Sequence, residues 1–155
     1  MIPIHQRIID PEKGDCYRAA IASILELELD EVPEDIASGF SMESFLQQRG
    51  LCAIHLPTYR LAPHDCPDKL SEPWDARRFA RYDWALGAIA LASVPSQRFP
   101  GGWHAIVVGF VPHHEHDRAV EIRCLHDPNP KNDPYDIDKT EIRSLTFFMP
   151  AGVTP

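Results

Sequence analysis

No two of the four cysteines in this chain stand at C-x-x-C spacing. Cys16, Cys52, Cys66 and Cys124 are scattered, so neither a zinc ribbon nor a thioredoxin-type dithiol is expected. No apolar run reaches membrane-spanning length. The opening residues, MIPIHQRIID, lack the apolar core of a secretory signal. A reducing cytoplasm and free thiols follow as the expectation. Positive charge is scarce too: 15 Lys and Arg against 23 Asp and Glu leave a net charge of −8. Apart from Arg77-Arg78 and Arg81 there is no basic cluster, so neither nucleic acid nor an anionic membrane surface is expected as a partner. Internal repeats and low-complexity tracts are absent.

Proline is what the chain has in excess, with 15 in 155 residues. That many fixed turns imply short elements and argue against a helical bundle. The length fits one domain over residues 1–155 with one core. A hydrophobic fraction of 44% with 25% charged residues marks a folded chain.

The most informative stretch runs from Gly14 to Leu27. Gly14-Asp15 is a turn dipeptide, and Asp15 is a preferred N-cap type. Cys16 then opens a run with helical spacing. Cys16, Ala20, Ser23 and Leu27 share one face, and Tyr17, Ile21, Ile24 and Leu25 the next. A thiol in the first turn sits at the positive end of the helix dipole, which favours the reactive thiolate. A small buried thiol is the alternative. Ser41 is a candidate N-cap for a second helix over Met42 to Arg49, closed by Gly50. Leu51 to Leu56 reads as a strand. Residues 57–83, with four prolines, read as loops with one short helix near Asp75 to Tyr82, a segment that could border a cleft or merely connect.

From Trp84 the chain turns apolar. Trp84 to Val94 predicts a buried central strand, and Trp103 to Val111 a second. Ala119 to His126 alternates, with Val120, Ile122, Cys124 and His126 on one face and Glu121, Arg123 and Leu125 on the other. It therefore pairs antiparallel with its predecessor as a hairpin. Asp127-Pro128-Asn129-Pro130 ends it, and Ile142 to Met149 predicts a last strand. The fold class is α+β: helices first, then a mainly antiparallel sheet.

The hairpin sets the start of one strand beside the end of the next, so His104 and Asp127 should be neighbours. With Cys16 at a helix head, they form a nucleophile, base and orienter. The imidazole takes the thiol proton, and the carboxylate fixes the tautomer. Three such residues, each at an element terminus, point to nucleophilic catalysis. Trp103 either roofs the cleft or fills the core. His113-His114-Glu115-His116-Asp117 has metal-ligand residue types, but a hairpin link is poor support for a tetrahedral site, and an exposed turn is the preferred reading. His126, facing away from Asp127, reads as structural. Cys124 and Cys52 read as core, and Cys66 as an exposed loop thiol. No cofactor is implied.

The order Cys16, His104, Asp127 resembles cysteine peptidases of the papain-like fold. The stretches Asp15-Cys16-Tyr17-Arg18-Ala19, His104-Ala105-Ile106-Val107-Val108 and Asp127-Pro128 look like those of the bacteriocin-processing (double-glycine) peptidases. They also look like small bacterial and phage proteins with G-D-C, H-A-I/V-V and H-D-P signatures. The resemblance spans about residues 6–130. It implies a thiol hydrolase acting on a peptide or isopeptide bond through an acyl-enzyme. It also implies that Gln6 is the oxyanion donor beside the Cys16 N–H, although ten residues before the cysteine is a longer gap than the family's. Asp15 and Trp103, flanking nucleophile and base, become candidate substrate-binding residues. An acyltransferase or deamidase uses the same machinery, and a binding module on a peptidase scaffold is a different class.

Overall fold

The computed structural model describes residues 1–10, 14–57, 86–112 and 120–152. Helix α1 (Cys16–Leu25) and a 3-10 turn (Leu29–Glu31) precede helix α2 (Gly39–Gln47). Five strands follow: β1 (Leu51–Pro57), β2 (Ile89–Pro95), β3 (Trp103–Pro112), β4 (Val120–His126) and β5 (Ser144–Pro150). They form one sheet in the order β1-β5-β2-β3-β4, with antiparallel neighbours throughout. The architecture is α+β, as the residue patterns predict. Among the described residues no helix is long and apolar enough to cross a membrane.

Both faces of the sheet centre are covered, which is why β2 and β3 read as unbroken apolar runs. Leu91, Ala105 and Val107 pack under α1 and α2 with Ile21, Phe45 and Leu46. Ala92, Val94, Ile106, Val108 and Phe110 face the other way, against Ile122, Ile137 and Leu145. The insertion of β5 between β1 and β2 has no counterpart in the sequence reading, because pairings over long separations leave no local period.

Several boundaries move, each for a local reason. Helix α1 stops at Leu25 rather than Leu27, because Glu26 turns left-handed at φ 58 and its N–H closes on the Ala22 carbonyl. Helix α2 begins at Gly39 instead of Met42. Its cap is Ser38, whose hydroxyl accepts from the Ser41 N–H, while the Ser41 hydroxyl is taken by Asp35. Gly50 follows at φ 65, a left-handed position suited to glycine. Strand β2 begins at Ile89 because Leu86-Gly87 forms a turn. Strand β5 begins at Ser144 rather than Ile142. The anticipated helix near Asp75 to Tyr82, Trp84, Cys66 and the His113 to Asp117 link lie outside the described residues.

One irregularity in β4 matters for the site. The ladder pairs Val108 with Cys124 but Val107 with His126, leaving Leu125 as an extra residue. This bulge corrects the expected alternation. Val120, Ile122 and Cys124 share a face, but His126 crosses to the helix side, where its Nε2–H donates to the Ile4 carbonyl at 2.8 Å. Asp127 then falls on the face of Val108, Ile106 and His104. Plain alternation from Cys124 would have turned it away.

Candidate active site

Residues 1–10 form a strap that closes over the head of α1. The Ile2 N–H donates to the Ser23 carbonyl and the Gln6 N–H to the Pro128 carbonyl. The Ile4 N–H reaches the Ser23 hydroxyl. Asp15 secures the far end, its carboxylate accepting from the N–H groups of Arg7 at 3.2 Å and Ile8 at 2.9 Å. This corrects two expectations. Asp15 occupies the N-cap position of α1, yet its side chain makes no cap bond to the helix. It is also buried under the strap, engaged by the Arg7 and Ile8 N–H groups and absent from the cavity wall described below.

Cys16 is the first residue of α1, where the leading N–H groups have no intrahelical partner. Burial pushes its thiol up. The hydrogen bond to His104, the Ala105 N–H, the charge of the imidazole and the Tyr17 N–H together outweigh burial, and the thiol ends below its ordinary value. His104, on β3, is buried. Its Nε2 bonds Asp127 Oδ1 at 2.6 Å, across 23 positions of sequence. Burial would depress the imidazole; the Asp127 bond and then the Cys16 sulphur overcome it and raise it to about 9. For Asp127 burial again opposes charge. The His104 bond, the Asn129 N–H, the imidazole charge and Asn132 hold the carboxyl below its ordinary value. All three shifts act alike, each favouring the charged form of its group: thiolate, imidazolium and carboxylate.

Cys16, His104, Gln6 and Trp103 line one cavity of about 110 Å³, together with Gly14, Arg98, Asn129 and Asn132. A larger groove of about 530 Å³ runs along β4 and residues 129–138. It shares Asn129 and Asn132 with the smaller cavity, but the thiol lies in the smaller one. Trp103 is 40% exposed with the Arg143 guanidinium 4.5 Å over its ring. It is a rim residue rather than core filler. Gln6 lines the same cavity as Cys16 despite the ten-residue gap. Its Nε2 donates to the Ile8 carbonyl at 3.2 Å, which leaves one amide proton, and its Oε1 is buried without a partner.

Comparison with protein-family models, curated proteins and solved structures gives no match to this chain.

The remaining cysteines divide. Cys124 packs against the core, and burial first, then the nearby Asp127 charge, push its thiol up to about 11. Cys52, expected in the core, is exposed on β1, whose outer edge has no paired strand among the described residues. Among the described residues no group of three or more His, Cys, Asp or Glu could hold a metal ion. Three contributors escaped the sequence reading. Tyr135 stacks on His104 at 6.2 Å between ring centroids, and its hydroxyl donates to the Pro95 carbonyl. Asn129 and Asn132 bond Asp127 directly. The only available signal was asparagine in a turn, where its side chain commonly bonds nearby backbone.

Gly14 sets the approach to Cys16. Its N–H bonds the Asp10 carbonyl at 3.0 Å, and a Cβ there would stand 2.5 Å from that oxygen. Gly14→Ala is expected to cost about 1–3 kcal/mol, as overpacking does, and to slow Cys16 alkylation. Urea midpoints and alkylation rates check both effects.

Proposed function

We propose that the chain is a cysteine-dependent hydrolase of papain-like fold that attacks an amide or ester carbonyl through Cys16. The observation that carries this reading is the 2.6 Å bond from His104 to Asp127, with the same imidazole lining one cavity with a thiol at a helix head. Asp127 occupies Nε2, so Nδ1 is the ring nitrogen left to face the sulphur. The thiolate adds to the carbonyl carbon, and the oxygen becomes an oxyanion. The Cys16 N–H and the remaining Gln6 amide proton are the donors assigned to it, and each such donor is worth roughly 10²–10³ in turnover. His104 passes its proton to the departing amine or alkoxide as the C–N or C–O bond breaks, leaving a thioester. Water, deprotonated by the now neutral His104, adds to the thioester. The acid leaves as the sulphur departs as thiolate.

Peptide and isopeptide bonds are the substrate class this reading favours. An amine in place of water would make the same thioester an acyltransferase intermediate, and a side-chain amide substrate would make the reaction a deamidation. A thiolate nucleophile suits a reducing compartment, and no cofactor is required.

Timed iodoacetamide labelling with peptide mapping tests the proposal. Cys16 is expected to react fastest at neutral pH, ahead of the more exposed Cys52 and far ahead of Cys124. Labelling of Cys16 no faster than Cys124 would defeat the reading. The pH dependence has a fixed sign. Acylation rises as pH climbs through the lowered Cys16 value, because thiolate forms. It falls again as pH passes about 9, where His104 loses the proton it must donate. A rate of acylation from a peptide amide substrate with no alkaline fall would contradict that assignment.

A further inference from the structure

We infer that Asn129 and Asn132 are positioning residues that fix the direction of the hydrogen bond between Asp127 and His104, and with it the ring nitrogen left to face Cys16. The inference rests on the thiol-hydrolase reading and deepens it.

The chain starts at a group whose role is not in question. The backbone N–H of Lys131 can only donate, and it does so to Asn129 Oδ1 at 3.1 Å. That fixes the Asn129 amide, so its Nδ2 is the end that meets Asn132, donating to Oδ1 at 3.0 Å. The Asn132 amide is fixed in turn, and its Nδ2 donates to Asp127 Oδ2 at 2.9 Å. The Asn129 backbone N–H donates to Asp127 Oδ1 at 2.8 Å. Both carboxylate oxygens are therefore held by donors, which leaves Asp127 as an acceptor only. The bond to His104 must then run from Nε2–H to Oδ1. With Nε2 carrying a proton, neutral imidazole has its lone pair on Nδ1, the nitrogen that takes the thiol proton.

Asn129 is 4% exposed, so solvent does not readily substitute for its partners. Asn132 also ties back through its own N–H to the Asn129 carbonyl at 3.1 Å, closing the turn on itself. The titratable groups around Asp127 are His104 on β3, Cys124 on β4 and Tyr135 on the following segment, with Cys16 beyond the imidazole. None but His104 donates to its carboxylate in the bonds described. Among the described residues, the two asparagines supply the side-chain and backbone N–H groups that orient it from behind.

Two variants test this without touching Cys16, His104 or Asp127. Asn132→Leu removes the donor to Oδ2. Asn129→Asp keeps size and shape but cannot donate to Asn132 Oδ1, so the Asn132 amide loses the constraint that points its N–H groups at Asp127. The readout is the iodoacetamide rate at Cys16 across about pH 5 to 9.5, which reports thiolate fraction, alongside the downfield proton resonance of His104 Nε2–H. In each variant the acid limb is expected to move up by about one pH unit, slowing alkylation on that limb by about tenfold. Rates above the ordinary thiol value should stay within about twofold of the wild type, where thiolate no longer depends on His104. The downfield resonance should weaken or vanish. A purely structural role would lower melting temperature and leave the limb in place. If Asn132→Leu does not fold, the near-isosteric Asn129→Asp decides. A lowered wild-type profile that neither folded variant moves overturns this inference alone. An ordinary thiol profile in the wild type overturns the hydrolase reading with it.

Discussion

Replacing Cys16 by alanine is expected to cut turnover of an activated acyl substrate by on the order of 10⁴–10⁶-fold, the usual consequence of deleting a nucleophile that acts as a unit with its base. The covalent step needs a nucleophilic atom at that position, and alanine offers none. The cost to the fold should be small. Cys16 is half-buried at a helix terminus, and alanine is the best helix former. The measurement is a burst assay with a panel of peptidyl nitrophenyl esters, read with intact mass. Wild-type protein should release one equivalent of nitrophenol rapidly and gain one acyl mass. The alanine variant should show neither. A burst of equal size in the variant would mean that the acyl group goes elsewhere and that the three side chains meet for another purpose.

Asp127→Asn comes next in size, with a loss of roughly 10²- to 10⁴-fold in acylation at neutral pH. The variant has almost the same shape, so its effect is electrical and directional. An amide must present an NH₂ where the carboxylate presented an oxygen. Turned towards Asn132, it sets donor against donor at a position now bonded at 2.9 Å. Turned towards His104, it faces Nε2 with a donor and forces the ring proton onto Nδ1. A ring protonated only at Nδ1 cannot accept from the thiol. The imidazolium also loses its carboxylate, so His104 should fall from about 9 back towards its ordinary value. Pre-steady-state acylation across pH would show the loss as largest near neutrality and smaller in alkali, where the thiol ionises without help. An unchanged acylation rate in Asp127→Asn would remove Asp127 from the proposed mechanism.

The sequence made the chemistry easier to read than the path of the chain. Cys16, His104 and Asp127 stand at element ends marked by local signals: a Gly-Asp turn, a Gly-Gly turn and an Asp-Pro break. A hairpin needs only its two strands to be recognised, and that was enough to bring residues 104 and 127 together. The face on which Asp127 falls was not legible. It depends on the unpaired Leu125, and one surplus residue in an alternating strand leaves no trace in polarity. The strap was equally hidden, because its bonds are made by backbone groups to Ser23, Asp15, His126 and Pro128. Ser41 read as the cap of α2, but Ser38 holds that place, and the Ser41 hydroxyl goes to Asp35 instead. Asn132 had nothing to distinguish it from any turn asparagine until the carboxylate it touches was known.

The late arrival of β5 has a consequence for biosynthesis. Ser144–Pro150 is the strand that stitches β1 to β2, so residues up to 150 must have left the ribosome before the sheet can close. Until then β1 lacks its β5 partner, while β2 and β3, which lie under α1, can already pair with each other. On the proposed mechanism, a chain that has not yet reached His104 and Asp127 carries an ordinary mercaptan at Cys16. The heightened reactivity that follows their docking would serve as a chemical timestamp, readable by pulse-labelling nascent chains of graded length.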